Sequence, residues 1–230
     1  MKFLLKLHKE GFPFIILGLG FTLLFLCLNN ILWILFLAFS IFCIYFFRDP
    51  DKVTMVSPDA IISPADGKIT NISRNASPPS ELGEEAGANM TKVSIFLSVF
   101  DIHVNRIPID GKIIKLRYHP GQFINASLDK SSALNERQSI LIETKNKDKI
   151  ALVQIAGLIA RRIVCSLSQD QEVKTGARFG IIRFGSRVDI YVPEHIEIAV
   201  CEGQRVVGGE TIIGLFKDKN FTDAKFEIRE

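Results

Sequence analysis

The stretch from Gly11 to Phe47 constrains this chain most. It carries no charged side chain, and 10 of the 18 phenylalanines fall at or before Phe47. A helix needs about 20 apolar residues to cross the hydrocarbon core of a bilayer, so the stretch is long enough for nearly two crossings. Asn29 and Asn30 sit in its middle, where two amides in hydrocarbon would be costly. The pattern predicts a helical hairpin: a helix over residues 12–28, a tight polar turn, and a helix over 31–47. One long tilted helix is the alternative. A cleaved secretion signal is disfavoured, because the apolar run is too long and no small-residue cleavage site follows it. Lys2, Lys6 and Lys9 precede the run, and Arg48 and Lys52 follow it. With both ends basic, the positive-inside rule puts both in the cytoplasm. In a bacterium this reading places an anchor, residues 1–47, in the inner membrane, and the rest of the chain on its cytoplasmic side.

Beyond Phe47 the sequence turns strand-like. Short runs rich in Val and Ile alternate with Gly, Pro, Asp and Asn: Ala60–Ile62, Lys68–Ile72, Val93–Val99, Lys112–Arg117, Ser139–Thr144, Ile150–Gln154, Arg161–Cys165, Gly180–Arg183, Val188–Val192, Ile196–Val200 and Thr211–Phe216. Runs of this length and spacing predict a mostly β (α+β) domain over 48–230, resembling a sandwich or barrel. Ser77–Asn89, rich in Pro, Gly, Ala and Glu, reads as a mobile loop, and Gly121–Arg137 as a second long connection. Asp-Gly-Lys-Ile occurs twice, at Asp66–Ile69 and Asp110–Ile113, as a turn leading into a strand. The Gly-turn-strand pair at Glu202–Gly214 is of the kind found in biotinyl and lipoyl carrier domains, but no modifiable lysine stands at a hairpin tip.

Three lysines (Lys2, Lys6, Lys9) less Glu10 supply +2 of the net charge of +3, leaving a nearly neutral domain without a nucleic-acid footprint. Cys27 and Cys43 lie in the apolar run, and Cys165 and Cys201 stand alone. None has metal-ligand spacing, so reduced thiols and no metal are expected. No nucleophile–base pair has a familiar hydrolase spacing. Beyond His8, the histidines are His103, His119 and His195. Gly185-Ser186, inside Phe179–Pro193 (FGIIRFGSRVDIYVP), reads from its residues alone as a turn between two strands.

FGSRVDIYVP resembles the maturation region of the phosphatidylserine decarboxylase family, in the short form found in bacteria and archaea. Five further blocks follow that family's order: FFRDP at Phe46–Pro50, SPADGKI at Ser63–Ile69, SIFLSVFDIHVNRIP at Ser94–Pro108, PGQFINASLDKSSALNER at Pro120–Arg137, and QIAGLIARRIVC at Gln154–Cys165. Each is weak alone, but together they cover the chain from about residue 46 onward.

The resemblance implies an enzyme with no added cofactor. The Ser186 hydroxyl attacks the Gly185 carbonyl, and the resulting ester is lost by β-elimination. The dehydroalanine left behind hydrolyses to a pyruvoyl group and ammonia. The products are a β chain, residues 1–185, and an α chain, residues 186–230. The pyruvoyl then forms a Schiff base with phosphatidylserine, releasing carbon dioxide and leaving phosphatidylethanolamine. The resemblance sets Asp66 and a histidine beside Ser186, as in a triad. Longer bacterial relatives have two histidines, three residues apart. Here the first is kept as His103 and Arg106 stands in place of the second, and arginine cannot act as a base. Dual use of His103 is favoured, with Asp66 or His195 as alternatives. Arg106, Asn125, Asn135 and Glu136 are expected to bind the head group, with Arg48 and Lys52 attracting anionic lipid. The expected partners are phosphatidylserine in the bilayer, the two chains of one precursor, and a second copy of the protein; no nucleic acid is expected. Rival readings are an ether-lipid serine substrate, a membrane adaptor that never matures, and a soluble pyruvoyl enzyme for free amino acids.

Overall fold

The computed structural model describes residues 6–124, 134–158, 162–217 and 225–229. They fall into two compact units, Met1–Asp51 and Lys52–Glu230.

The first unit is a helical hairpin. Helix α1 spans Phe12–Cys27 and α2 spans Leu32–Phe46. Pro13 suits the first turn of α1, where its missing N–H costs nothing. Asn29 reverses the chain in the left-handed region (φ 49°), and the Asn30 side chain accepts from Leu32 N–H at the start of α2. The asparagines placed at a turn by the sequence do make it. The helices close at Gly18, where a Cβ would come within 2.4 Å of Ser40 Oγ, and at the stacked rings of Phe21, Phe25 and Phe36. Outward they present Ile16, Leu17, Leu23 and Leu35. Lys9–Cys27, of 19 residues, is long and apolar enough to cross a membrane; α2, of 15 residues, is shorter.

The second unit is mostly β. One curled antiparallel sheet holds, in spatial order, β10 (Glu172–Val173), β6 (Gly111–His119), β7 (Arg137–Glu143), β8 (Lys149–Ala156), β12 (Ser186–Val192), β4 (Met90–Leu97), β3 (Gly67–Ala76) and β14 (Arg205–Val206). A second sheet has the order β5 (Val104–Arg106), β11 (Arg178–Ile182), β9 (Ile163–Cys165). A third has β13 (Ile196–Ile198), β15 (Ile212–Phe216), β2 (Ala60–Ile62). The ribbon β1 (Lys52–Val56) and β16 (Lys225–Arg229) completes it.

Side chains alternate across each strand. On one face of the large sheet Val93, Ile95, Ile140, Leu152, Val188 and Ile190 meet Phe179 and Ile182 of the second sheet in the main core. On the other, Leu141, Val153, Ile155 and Tyr191 are covered by Leu82 and Ala86. Strand β12 is therefore buried along its whole length.

The cover corrects the sequence reading of Ser77–Asn89 as a mobile loop. Two short 3-10 turns, Ser80–Leu82 and Glu84–Ala86, sink Leu82 and Ala86 into the sheet. Within the first turn Glu81 accepts two bonds from Arg137, at 2.6 and 3.0 Å, and one from the Ser139 hydroxyl at 2.8 Å. One leucine and one charge clamp fix a segment whose composition looked loose.

Candidate active site

Ser186 opens β12 in the cross-strand row Leu97–Ser186–Ala156. It faces the main core, is fully buried, and its hydroxyl has no hydrogen-bond partner among the described residues. An unsatisfied buried hydroxyl costs about 1–3 kcal/mol, so its position needs a reason.

Just before it, Phe184 (φ 62°) and Gly185 (φ 70°) both adopt left-handed backbone. Glycine does so freely, whereas phenylalanine carries about 1–2 kcal/mol of strain. A Cβ on Gly185 would meet only Val99, at 3.9 Å, so conformation rather than space calls for glycine there. The Gly185 N–H donates to His103 Nε2 at 3.2 Å, and His103 Nδ1 lies 3.0 Å from the Asp101 carbonyl oxygen. An Nε2 that accepts has no proton, so the proton is on Nδ1 and is donated to Asp101. The buried imidazole is thus held as one neutral tautomer, with its basic nitrogen against the residue preceding Ser186.

Asp101 fixes this histidine and was not singled out by the sequence. Its Oδ2 accepts from the Ser98 N–H at 2.9 Å and the Ser98 hydroxyl at 2.8 Å, and its Oδ1 from Arg205. Asp66 precedes β3; its Oδ1 is 3.3 Å from Lys52 Nζ and its Oδ2 accepts from Gly208 N–H at 3.2 Å. Burial pushes the Asp66 carboxyl above its ordinary value, Lys52 and Gly208 pull it down, and the charge of Asp101 adds to the rise. Lys52, read as a surface attractor of lipid, is instead buried against Asp66.

The other expected site residues are placed as follows. Arg106 is buried and donates to the Gly176 carbonyl at 2.8 Å and to the Arg229 carbonyl at 3.4 Å. Asn135 uses its amide to tie Ile124 to Ala156, donating to the Ala156 carbonyl at 2.7 Å. Glu136 passes its backbone carbonyl to Ala156 N–H at 3.0 Å. Both therefore brace the strand beside Ser186. Asn125 lies outside the described residues. His195 pairs with Asp148 at 3.1 Å, just beyond the end of β8 opposite to Ala156. An eight-residue strand puts it roughly 20 Å from Ser186, which removes it as the alternative base. No group of three or more metal-binding side chains occurs among the described residues.

A buried serine hydroxyl without a partner among the described residues, and a histidine that accepts from the peptide preceding it, are the kinds of group that a nucleophile and its base require. The comparisons identify the family. Residues 39–214 match the family model for phosphatidylserine decarboxylase. Phosphatidylserine decarboxylase proenzymes of Rickettsia typhi and Rickettsia prowazekii are each 54% identical over 221 residues, covering 96% of this chain and 95% of theirs. That of Rickettsia akari is 52% identical over 223 residues, 97% of this chain and 96% of its own. The chain belongs to the phosphatidylserine decarboxylase family, a family of carboxy-lyases.

Proposed function

We propose that this protein is made as a precursor, splits its own Gly185–Ser186 bond, and decarboxylates phosphatidylserine to phosphatidylethanolamine and carbon dioxide. One observation carries the reading: the strained Phe184–Gly185 turn is docked on a neutral His103, with the unpartnered Ser186 hydroxyl directly behind it.

His103 Nε2, held at the N–H of Gly185 one peptide before the scissile bond, serves as the base and takes the Ser186 proton as Oγ attacks the Gly185 carbonyl carbon. The C–N bond breaks as the ester forms. Elimination then leaves the ester oxygens as the Gly185 carboxylate and residue 186 as dehydroalanine. Water releases its nitrogen as ammonia and leaves a pyruvoyl group. Release of the strain at Phe184 on cleavage would favour the forward direction.

The residues around position 186 fit that group. The serine hydroxyl has no partner between Leu97 and Ala156, whereas a methyl group belongs in such a row. A pyruvoyl group at position 186 would supply a carbonyl electrophile for the substrate amine and an electron sink for the departing carboxylate. His103, free of its first task, returns a proton to the carbon that carbon dioxide has left. Asp101 keeps the imidazole oriented in both steps. Arg106 takes no part as a base.

The hairpin serves as the anchor. Its outward leucines and isoleucines suit hydrocarbon, and the basic residues at both ends suit a cytoplasmic domain on the inner membrane of a bacterium. Tethering then delivers the domain to a substrate that never leaves the bilayer.

Intact masses of the purified chain beside its Ser186→Ala variant test the reading. Wild type must yield a fragment ending at Gly185 and a fragment from residue 186 blocked by pyruvoyl, and the variant one uncut, inactive chain. A folded wild type that stays uncut in lipid refutes it.

A further inference from the structure

Two side chains near Ser186 are as deeply buried as any in the protein and yet are incompletely bonded. Asn105, on β5, and Gln154, on β8, have no solvent exposure. Gln154 Nε2 donates to Asn105 Oδ1 at 2.8 Å. Asn105 Nδ2 and Gln154 Oε1 then have no partner among the described residues. Two unsatisfied amide groups cost about 1–3 kcal/mol each, and a pair of leucines would fill the same space without that cost. The arrangement is held firmly. Gly180 of β11 packs over Gln154 so closely that a Cβ there would stand 3.0 Å from Nε2 and 2.3 Å from the Val164 carbonyl.

The register brings this pair to the reacting residue. Gln154 faces Val188, one step along from the Ser186–Ala156 row, and shares the inward face with Ser186. Diagonal neighbours on adjacent strands lie about 7–8 Å apart, a span that a serine head group joined at residue 186 would bridge. Asn105 is two residues beyond His103, so its side chain leaves the strand on the same side as the imidazole that touches Gly185. The pair thus offers one amide N–H donor and one carbonyl acceptor, without charge, beside the histidine and the serine.

We propose that Asn105 and Gln154 form the subsite for the amino-carboxylate end of the substrate, with Asn105 Nδ2 donating to the carboxylate and Gln154 Oε1 accepting from the substrate nitrogen. This deepens the proposed function and rests on it. The pair makes the site selective for a serine head group over ethanolamine, which lacks the carboxylate and is the form to be released. A neutral donor also suits a group that must lose its charge: it holds the carboxylate without the ion pair that an arginine would form.

The test uses the mature enzyme in detergent micelles and two lipids whose tertiary amines cannot condense with a ketone: phosphatidyl-N,N-dimethylserine and phosphatidyl-N,N-dimethylethanolamine. Calorimetry gives the dissociation constant of each. Wild type should prefer the first. Asn105→Leu should weaken binding of the dimethylserine lipid about ten- to hundredfold, the value of one hydrogen bond to a charged group, and leave the other unchanged. Asn105→Asp keeps the shape, and its preference should fall further as rising pH ionises the new carboxyl. Gln154→Leu should weaken both lipids, because both carry an ammonium. Masses of each variant report self-cleavage separately, and each should cleave fully. Cleaved variants that keep the wild-type preference would overturn the subsite, as would variants that fold but fail to cleave, which would assign the pair to maturation. An uncut wild type would instead overturn the pyruvoyl reading beneath it.

Discussion

Removing the clamp between Glu81 and Arg137 should loosen the domain by an amount that depends on pH. Burial alone would raise the Glu81 carboxyl, but hydrogen bonds from Arg137, its own backbone and Ser139, with the charge of Arg137, hold it down at about 2 against an ordinary 4.5. At roughly 1.4 kcal/mol for each pH unit, that difference amounts to about 3 kcal/mol. Because the folded value is depressed, this stability is fully present above about pH 5 and disappears as pH falls toward 2. In Glu81→Gln it is absent at every pH. For a domain of this size about 3 kcal/mol corresponds to roughly 6–12 °C in Tm. The Ser186→Ala background keeps the chain in one piece. Circular dichroism of the strands is the readout, since the one tryptophan, Trp33, lies in α2 and would not report on the β unit. Wild type should melt about that much above the Gln variant at pH 7, and the gap should close by pH 2. A gap that stays constant over this range, or is missing at pH 7, refutes the clamp.

Three further outcomes follow from other parts of the molecule. On β12, Arg187 and Asp189 form a buried ion pair, with Nε 2.9 Å from Oδ1. Asp189→Leu should cost about 3–5 kcal/mol in thermal unfolding, and adding Arg187→Met should restore most of it, because the loss comes from the stranded charge. His103→Gln should slow self-cleavage by about 10²–10⁴, measured as the lifetime of the uncut chain on denaturing gels. Gly185→Ala should cost the uncut Ser186→Ala chain only about 1 kcal/mol of stability, read as a fall of roughly 2–4 °C in Tm, since strain and not collision opposes the added methyl.

Much of this was legible in the residues. Each of the eleven Val- and Ile-rich runs overlaps a strand among the described residues, because each has apolar groups packed toward the core. The strands that escaped, β1, β5, β10, β14 and β16, are short, lie at sheet margins or form the separate two-stranded ribbon; Val104-Asn105-Arg106 is buried but offers no apolar alternation. The repeated Asp-Gly-Lys-Ile shows why local sequence cannot assign roles. In both copies glycine lets a strand start against its neighbour's backbone, a Cβ coming within 2.3 Å of the Phe96 carbonyl at Gly67 and 2.5 Å of the Glu143 carbonyl at Gly111. Asp110, though, spends its carboxylate on Thr175 and Lys174, while Asp66 is half-buried against Lys52 and Gly208 and feels the charge of Asp101. Ser186 and His103 were found through resemblance to a family. Asp101, Asn105 and Gln154 were not: Asp101 matters through the imidazole its carbonyl holds, and Asn105 and Gln154 through each other across strands.

Strand β12 lies between β4 and β8, and beyond residue 186 the chain also supplies β14 to the large sheet, β13 and β15 to the third, and β16 to the ribbon. The cut proposed at Gly185–Ser186 would therefore leave two polypeptides woven through one another, sharing a core that neither could complete alone. They need never meet by diffusion, because they were one molecule when the core formed. Once unfolded they would have to find each other from solution, and refolding would depend on concentration where the first folding did not. The proposed maturation would thus give the protein a direction in time: the uncut chain folds as one molecule, whereas the cut one would have to reassemble from two.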